Sequence, residues 1–323
     1  MSAVGPVINV ALYGANGHQI HDLLVDHPDA RLVAMAAFPR ERLPPALREL
    51  PEIRVCATLD ELLADPRVEL VSLCSPRRRD QAQDAIRALR AGKHVYAEKP
   101  CAFDETELDE ILRVAQEAGR YFREMAGTAF EQPYYAMREI VLAGRIGRVV
   151  QVIAEKSYPY HDGRPQDEDV DGGLVRQGAI HAVRFVEHVA GARVQAVRAI
   201  ESTASNPVAG GELRMAACLM FELEGGGLAS IAANYLNPKG TAMWGYETLR
   251  ILGDHGFVES TQSGLHTRLV IGDCDCGPLD LSAPGVDYFG AYLDALRGMG
   301  RMPLTLEEEL SPTRWVIRAK RNL

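Results

Sequence analysis

Three short apolar runs confine the first third of the chain to one kind of architecture. Val7–Tyr13, Leu32–Phe38 and Val68–Cys74 are each about the length of one strand, and each stops at a turn-forming residue: Gly14, Pro39 and the pair Ser75-Pro76. Runs that are apolar at nearly every position, not at alternate ones, suit strands buried on both faces. Helical stripes lie between and after them. Ala82, Ala85, Ile86 and Leu89 fall at i, i+3, i+4 and i+7 before Gly92. Leu108, Ile111, Leu112 and Ala115 repeat the pattern, opened by the capping-box pair Asp104 and Glu107 and closed by Gly119. A further helix is expected from Gly17 to Val25. Strand–helix alternation with right-handed crossovers gives a doubly wound parallel sheet.

The pattern changes after Gly127. A helix is expected over Tyr134–Ala143, a long strand over Arg148–Ser157 and a helix near Gly178–Val189. Then come β-rich stretches at Arg193–Glu201, Glu212–Leu223, Gly227–Tyr235, Glu247–Leu252 and Gly256–Ser260, with Gly225-Gly226-Gly227 as a hairpin turn. Two helices close the chain, Tyr288–Arg297 and Leu306–Lys320. The fold class is therefore α/β in two parts. Residues 1–126 form a doubly wound parallel sheet, and residues 127–323 form an α/β domain with a large, mostly antiparallel open sheet and helices on one face. The last helix is expected to pack back on the first domain. A chain of 323 residues with 47% hydrophobic and 24% charged content has room for two such cores.

Charge and cysteine usage exclude several classes. A net charge of −9 opposes a nucleic-acid partner, which needs a basic face, and opposes binding to anionic membranes. The start MSAVGPVINV has no basic residue ahead of its apolar run, unlike a secretory signal, and no stretch reaches the ~18–20 apolar residues of a membrane helix. Cys274 and Cys276 form a C-x-C with no second ligand pair nearby, so no metal site is expected. The thinly spread cysteines suit reduced thiols in the cytoplasm.

In an open parallel sheet, ligands bind beyond the C-terminal ends of the strands. Gly14-Ala15-Asn16-Gly17-His18 occupies that place after the first run, where glycines let a backbone approach a pyrophosphate. Against G-x-G-x-x-G, Gly14 keeps the first place, Asn16 takes the second and Gln19 the third. Asn tolerates positive φ, and Gln19 implies looser helix–strand packing. The second run ends in Ala36-Ala37-Phe38-Pro39-Arg40, without the carboxylate that usually holds the ribose hydroxyls. Arg40 or Arg42 is then available for a 2′-phosphate, so the cofactor is NAD or NADP. His18 and His21 do not read as a metal pair, since a cation is misplaced at a helix N-terminus. A fourth strand, His94–Ala97, ends in Glu98-Lys99-Pro100, putting two opposite charges at the ligand end of the sheet.

These motifs, in this order, resemble the glucose–fructose oxidoreductase / inositol 2-dehydrogenase / MocA family over nearly the whole chain. The likeness rests on AGKHVYAEKP (Ala91–Pro100), LDELLADPRVELVSLCSP (Leu59–Pro76), REIVLAGRIGRV (Arg138–Val149), the stretch Gly172–His181 and RILGDHGFVES (Arg250–Ser260). The resemblance implies a Rossmann domain followed by an open-sheet domain that serves as a dimer or tetramer face. It also implies a nicotinamide cofactor and a sugar, cyclitol or related polyol that exchanges hydride at a carbinol carbon. Lys99 and His181 are the catalytic residues it implies. Gln177, Tyr158, Tyr160 and His161 would bind substrate. Gly14, Asn16, Gly17, His18, Phe38, Arg40, Ser75, Pro76, Glu98 and Lys99 would bind the cofactor.

The sequence departs from the family at Gln177 and Arg184, where carboxylates are expected four residues before and three after His181, and in Arg77-Arg78-Arg79, where a histidine often follows the proline. A neutral Gln177 cannot act as a base, which leaves Lys99 and His181 to carry proton transfer. Arg176 and Arg184 are available for an acidic substrate group, and Asp167-Glu168-Asp169 reads as a solvated loop. Two other functions stay open: redox-assisted glycoside elimination on tightly bound NAD, and a non-catalytic binding protein on the same scaffold.

Overall fold

In the computed structural model, which describes residues 6–321 and 323, the chain divides into two compact units. The first runs through Met125 and adds Asp169–Asp171 and Tyr288–Pro303; the second takes Ala126–Glu168, Gly172–Asp287 and the chain from Leu304 on. The expectation about a secretory signal falls partly on residues 1–5, outside those described.

The first unit carries a six-stranded sheet of β1 (Ile8–Tyr13), β2 (Ala30–Ala36), β3 (Arg54–Cys56), β4 (Leu70–Leu73), β5 (His94–Ala97) and β6 (Phe122–Glu124). The strands lie in the order β3-β2-β1-β4-β5-β6, all parallel, so the winding reverses between β1 and β4. That reversal is the topological switch point at which such sheets hold ligands. The capping box forms as expected: Asp104 accepts from the Glu107 amide at 2.9 Å, and Glu107 accepts from the Phe103 amide at 3.0 Å.

The expected helix over Gly17–Val25 is absent. Only a single 3-10 turn, His21–Leu24, follows β1. Gln19 supplies the physical reason. Its buried amide donates to the carbonyls of Gly14 (3.0 Å) and Ser72 (3.2 Å), and its oxygen accepts from the Ile20 amide at 3.1 Å. The side chain thus takes a backbone donor that a helix would use and ties the loop to the strand ends. A distant segment supplies cover instead. Helix Tyr288–Leu296 puts Phe289, Tyr292 and Leu293 into the core formed by Val10, Leu12, Leu32, Leu70 and Tyr96. Burial of each such side chain contributes about 1.5–3 kcal/mol. Tyr292 also donates to the carbonyl of Val95 at 3.0 Å, which satisfies its hydroxyl. The return to the first unit is therefore made by the penultimate helix. The last one, Leu306–Arg321, belongs to the second unit.

The second unit carries an eight-stranded sheet: β7 (Val149–Ser157), β8 (Val194–Ser202), β9 (Ala216–Leu223), β10 (Leu228–Asn234), β11 (Tyr246–Gly253), β12 (Gly256–Thr261), β13 (His266–Ile271) and β14 (Cys274–Gly277). The order is β14-β13-β12-β11-β7-β10-β9-β8, antiparallel except for the β7–β10 pair. Alternation is clear: Val152, Leu219, Phe221, Ile231, Leu249 and Ile251 are buried, whereas Ile153, Ile200, Met220 and Leu228 on the other face are 43–75% exposed. The segment Leu174–Val189 is continuously helical, but its two ends, Leu174–Ala179 and Phe185–Val189, are wound as π-helix around a short α-helical middle, Ile180–Arg184.

Candidate active site

At the switch point of the first unit, Gly14 has φ +73°, and a Cβ there would overlap the Cys74 carbonyl. Gly17 has φ +120°, and its Cβ would lie 2.7 Å from Glu98 Cγ and 2.9 Å from Arg78 Nη2. These two glycines let the β1 loop close onto the ends of β4 and β5. Asn16 is not among the residues with positive φ. It acts through its side chain, which donates to the carbonyls of Pro76 at 3.3 Å and Val170 at 2.5 Å.

Glu98 and Lys99 directly follow β5 and are 1% and 2% exposed, which removes surface salt bridging as their role. Glu98 accepts from the amides of His18 (2.5 Å) and Lys99 (3.0 Å), with His18 Nδ1 at 3.1 Å. Arg78 Nη1 lies at 3.9 Å and Lys99 Nζ at 4.0 Å. Burial opposes ionisation of Glu98, but the hydrogen bond from His18 and the charges of His18, Lys99 and Arg78 outweigh it and hold the carboxyl below the usual range. Ser75 is buried, its amide donating to Gln81 at 3.2 Å and its hydroxyl to Asp84 at 2.8 Å. Gln81 in turn donates to the carbonyls of Glu98 and Pro100.

Sequence reasoning missed Arg78, which sits among three arginines that look like surface charge. Its side chain is 2% exposed and donates to the carbonyls of Lys99 and Asn16, joining the loops after β1, β4 and β5. The usable signal was its place two residues after the strand-ending Ser75-Pro76. Arg40 lies in the loop after β2. Its guanidinium donates to the carbonyls of Arg48, Leu50 and Ile53 and so holds that loop. Arg42 instead reaches the glycine loop, donating to Ala15 at 3.2 Å while its guanidinium lies over the Phe38 ring at 5.6 Å. Ala37, at the end of β2, is held at φ +51°, a costly conformation for a residue with a Cβ.

These residues fit a dinucleotide. Two glycines open the loop, Arg42 borders it, no carboxylate ends β2, and two buried nitrogens, Arg78 Nε and His21 Nδ1, have no hydrogen-bond partner among the described residues. The pyrophosphate would be held by loop groups and side chains, since no α-helix starts here to offer its N-terminus.

In the second unit, Gly172 and Gly173 take positive φ, and a Cβ on Gly173 would lie 2.5–2.7 Å from the Glu168 side chain. The π-wound segment after them carries Gln177 and His181, both half-buried. π-Turns recur at functional sites. Tyr158, buried beyond β7, is the hub of a ring cluster, with His181 edge-on at 6.4 Å, Trp244 at 6.3 Å and Tyr235 at 6.5 Å. His161 lies 5.6 Å from Trp244. Tyr160 is half-buried and makes no ring contact among the described residues. Trp244, 59% exposed, was not singled out from the sequence, and neither was Arg164, whose guanidinium lies 3.7 Å over Tyr235. Lys156 stands 4.8 Å over Tyr158 and pairs with Glu247, directly opposite across β7 and β11. Glu247 also accepts from the Tyr134 hydroxyl at 2.5 Å. Arg184 is 1% exposed, packed within the second unit. One sequence expectation, the solvated acidic loop, fails here. Glu168 is paired with Lys320 at 3.1 Å and Arg176 at 3.4 Å, so it is not simply solvated.

Comparison with known proteins agrees with both halves. Residues 8–125 match the model of an oxidoreductase family with an NAD-binding Rossmann fold, and residues 134–259 match that of the Gfo/Idh/MocA C-terminal domain. An uncharacterized oxidoreductase of Rhizobium meliloti, ORF334, is 28% identical over 192 residues, which is 59% of this chain and 57% of that protein. The 1,5-anhydro-D-fructose reductase of Ensifer adhaerens is 30% identical over 136 residues, 40% of each chain. The chain thus spans about half the length of these curated relatives. The WlbA dehydrogenase of Bordetella pertussis, solved with NADH and UDP-GlcNAcA, shares the fold with a TM-score of 0.77 at 20% identity, over 98% of this chain and 97% of that one. A Rossmann sheet of this strand order, followed by this open sheet and matched by both family models, means that the chain belongs to the glucose–fructose oxidoreductase / inositol 2-dehydrogenase / MocA family of NAD-binding oxidoreductases.

Proposed function

We propose that the chain is an NAD(P)-dependent oxidoreductase that moves a hydride between nicotinamide and the carbinol or carbonyl carbon of a sugar, cyclitol or related polyol. The observation that carries this reading is Lys99, a buried ammonium at a strand end, 4.0 Å from a carboxylate held ionised. When bound, the nicotinamide supplies or accepts the hydride. Lys99 donates a hydrogen bond to the substrate oxygen and stabilises negative charge developing on it. Glu98 and Arg78 fix the loop from which Lys99 projects. His181 exchanges the hydroxyl proton, its ring packed against the edge of Tyr158. Gln177 hydrogen-bonds a substrate hydroxyl, and Tyr158, Tyr160, His161 and Trp244 offer ring faces and polar groups to a sugar. The sugar-directed name of the Ensifer adhaerens relative supports this substrate class.

In the same reading the chain works in the cytoplasm as a dimer or tetramer joined through the open face of the eight-stranded sheet, where Ile153, Ile200, Met220 and Leu228 are exposed. Among the described residues, no helix is long and apolar enough to cross a membrane. The test is calorimetric titration with NAD(H) and NADP(H), then a panel of polyols and sugars followed at the reduced-nicotinamide absorbance. Binding of neither dinucleotide would overturn the reading. His181→Asn is expected to lower kcat by about 10²–10⁴-fold with cofactor affinity kept. Wild-type kcat in that variant would remove His181 from the mechanism.

A further inference from the structure

Cys274 and Cys276 lie outside the residues assigned above, and their geometry is unusual for neighbours on a strand. β13 and β14 form a hairpin across Gly272-Asp273, with Ile271 opposite Cys274 and Val270 opposite Asp275. The register then slips, so that Leu269 faces Gly277 and Cys276 is the extra residue of a bulge. Residues i and i+2 of a regular strand stand about 6.5 Å apart. Here the two sulfurs are 3.9 Å apart.

The residue between them holds this arrangement. Asp275 Oδ2 accepts from Arg268 at 2.8 and 3.2 Å, and its Oδ1 accepts from the Gly277 amide at 3.1 Å. Gly277 has φ +75°, a conformation that favours glycine. The bulge cannot straighten without breaking these bonds. Both thiols are exposed, whereas Cys56, Cys74 and Cys101 are buried. Cys276 also borders a groove of about 410 Å³ lined by Tyr135, Ile140, Arg145 and the carboxylates Glu139 and Asp280, so a small thiol compound has access to it. A structural metal site is not an alternative, since among the described residues no group of three or more His, Cys, Asp or Glu side chains could hold an ion.

We propose that Cys274 and Cys276 form a redox modification site, a surface dithiol that closes reversibly to a disulfide by exchange with a low-molecular-weight disulfide of the glutathione type. One cysteine loses its proton to solvent, and its thiolate attacks a sulfur of the small disulfide. That S–S bond breaks, one small thiolate leaves, and a mixed disulfide remains on the protein. The second cysteine, also deprotonated, attacks the protein-side sulfur and expels the second small thiolate. The protein gives up two protons and two electrons, and the small disulfide is reduced to two thiols. This site stands independently of the proposed hydride transfer.

The test uses the full chain carrying Cys218→Ser, so that the other exposed thiol is silent. The reduced protein is treated with oxidised glutathione, and its thiols are titrated under denaturing conditions alongside intact mass and peptide mapping. Five thiols remain of the six in the natural sequence, and two of these are expected to disappear without an adduct, with both mapped to 274 and 276. Reduced glutathione should restore them. Further substitution Cys274→Ser or Cys276→Ser should leave a stable glutathione adduct on the remaining cysteine. The proposal is overturned if all five thiols survive, if the parent protein accumulates a stable adduct, or if the closed form cannot be reduced.

Discussion

Each unit buries a lysine–glutamate pair, and the two pairs are constructed differently. Lys156 and Glu247 face each other across neighbouring strands, one cation to one anion, with the Tyr134 hydroxyl as a further partner from a helix. Glu98 has far more than one partner: two backbone amides, the His18 ring, Arg78 and Lys99. A paired charge in a sheet needs only local neutrality. A carboxylate surrounded by surplus donors has its orientation fixed and leaves a neighbouring ammonium able to serve something else. We propose that excess of partners at a loop junction, compared with balance inside a sheet, separates a functional charge cluster from a structural one.

The largest expected effects test that contrast directly. Arg78→Met and Glu247→Ala each remove one member of a buried charged set and should destabilise by about 3–5 kcal/mol in denaturant titrations. The compensated double variant Lys156→Met with Glu247→Leu should recover most of that loss, because the pair has no further task. Arg78→Met should in addition weaken cofactor binding, since it releases three loops at once. Full recovery of dinucleotide affinity in a stabilised Arg78→Met background would erase the distinction.

A smaller effect concerns pH. Burial raises Glu187 to about 7, against the hydrogen bonds from Ser311, the Val194 amide and Trp315 and the charge of Arg193. Between an unfolded value of about 4.3 and the folded value, the native protein holds a proton that the unfolded chain has lost, so stability falls as pH rises through that window. Glu187→Gln should flatten this slope and gain about 2–3 kcal/mol over wild type at pH 8, read from melts at pH 5 and pH 8. An unchanged slope would place the titration elsewhere. The smallest effect is at Arg42. Arg42→Ala should weaken NADP(H) by about tenfold and leave NAD(H) nearly unchanged, the loss expected for one charged hydrogen bond to a phosphate. Equal losses for both cofactors would assign Arg42 to the pyrophosphate instead.

Much of this was legible in the sequence where a periodic pattern met a hard stop. Apolar runs ending at Gly14, Pro39 and Ser75-Pro76 located three parallel strands, and Asp104 with Glu107 marked a helix start that forms as read. Several failures share one cause, which is side chains that bond to backbone outside their own segment. Gln19 reaches Ser72 and dissolves a helix that local pattern favours. Arg78 reaches Asn16 and Lys99, and Arg40 is captured by Arg48 and Leu50 while Arg42 takes the loop. β14 escaped notice because Cys-Asp-Cys-Gly has no β-branched or aromatic residue and leans on a bulge for its pairing. Of the aromatic cluster, Tyr158 and His161 were visible at a strand end, but Trp244 arrives from a loop more than eighty residues later.

The central claim is that Lys99 acts on the substrate and not on the fold. Steady-state turnover of Lys99→Ala on whichever polyol or sugar the wild-type protein oxidises, measured beside calorimetric binding of its cofactor, tests this most directly. The account predicts a loss of at least about 10²–10³-fold in kcat with dinucleotide still bound. Turnover at the wild-type rate with cofactor bound would contradict it.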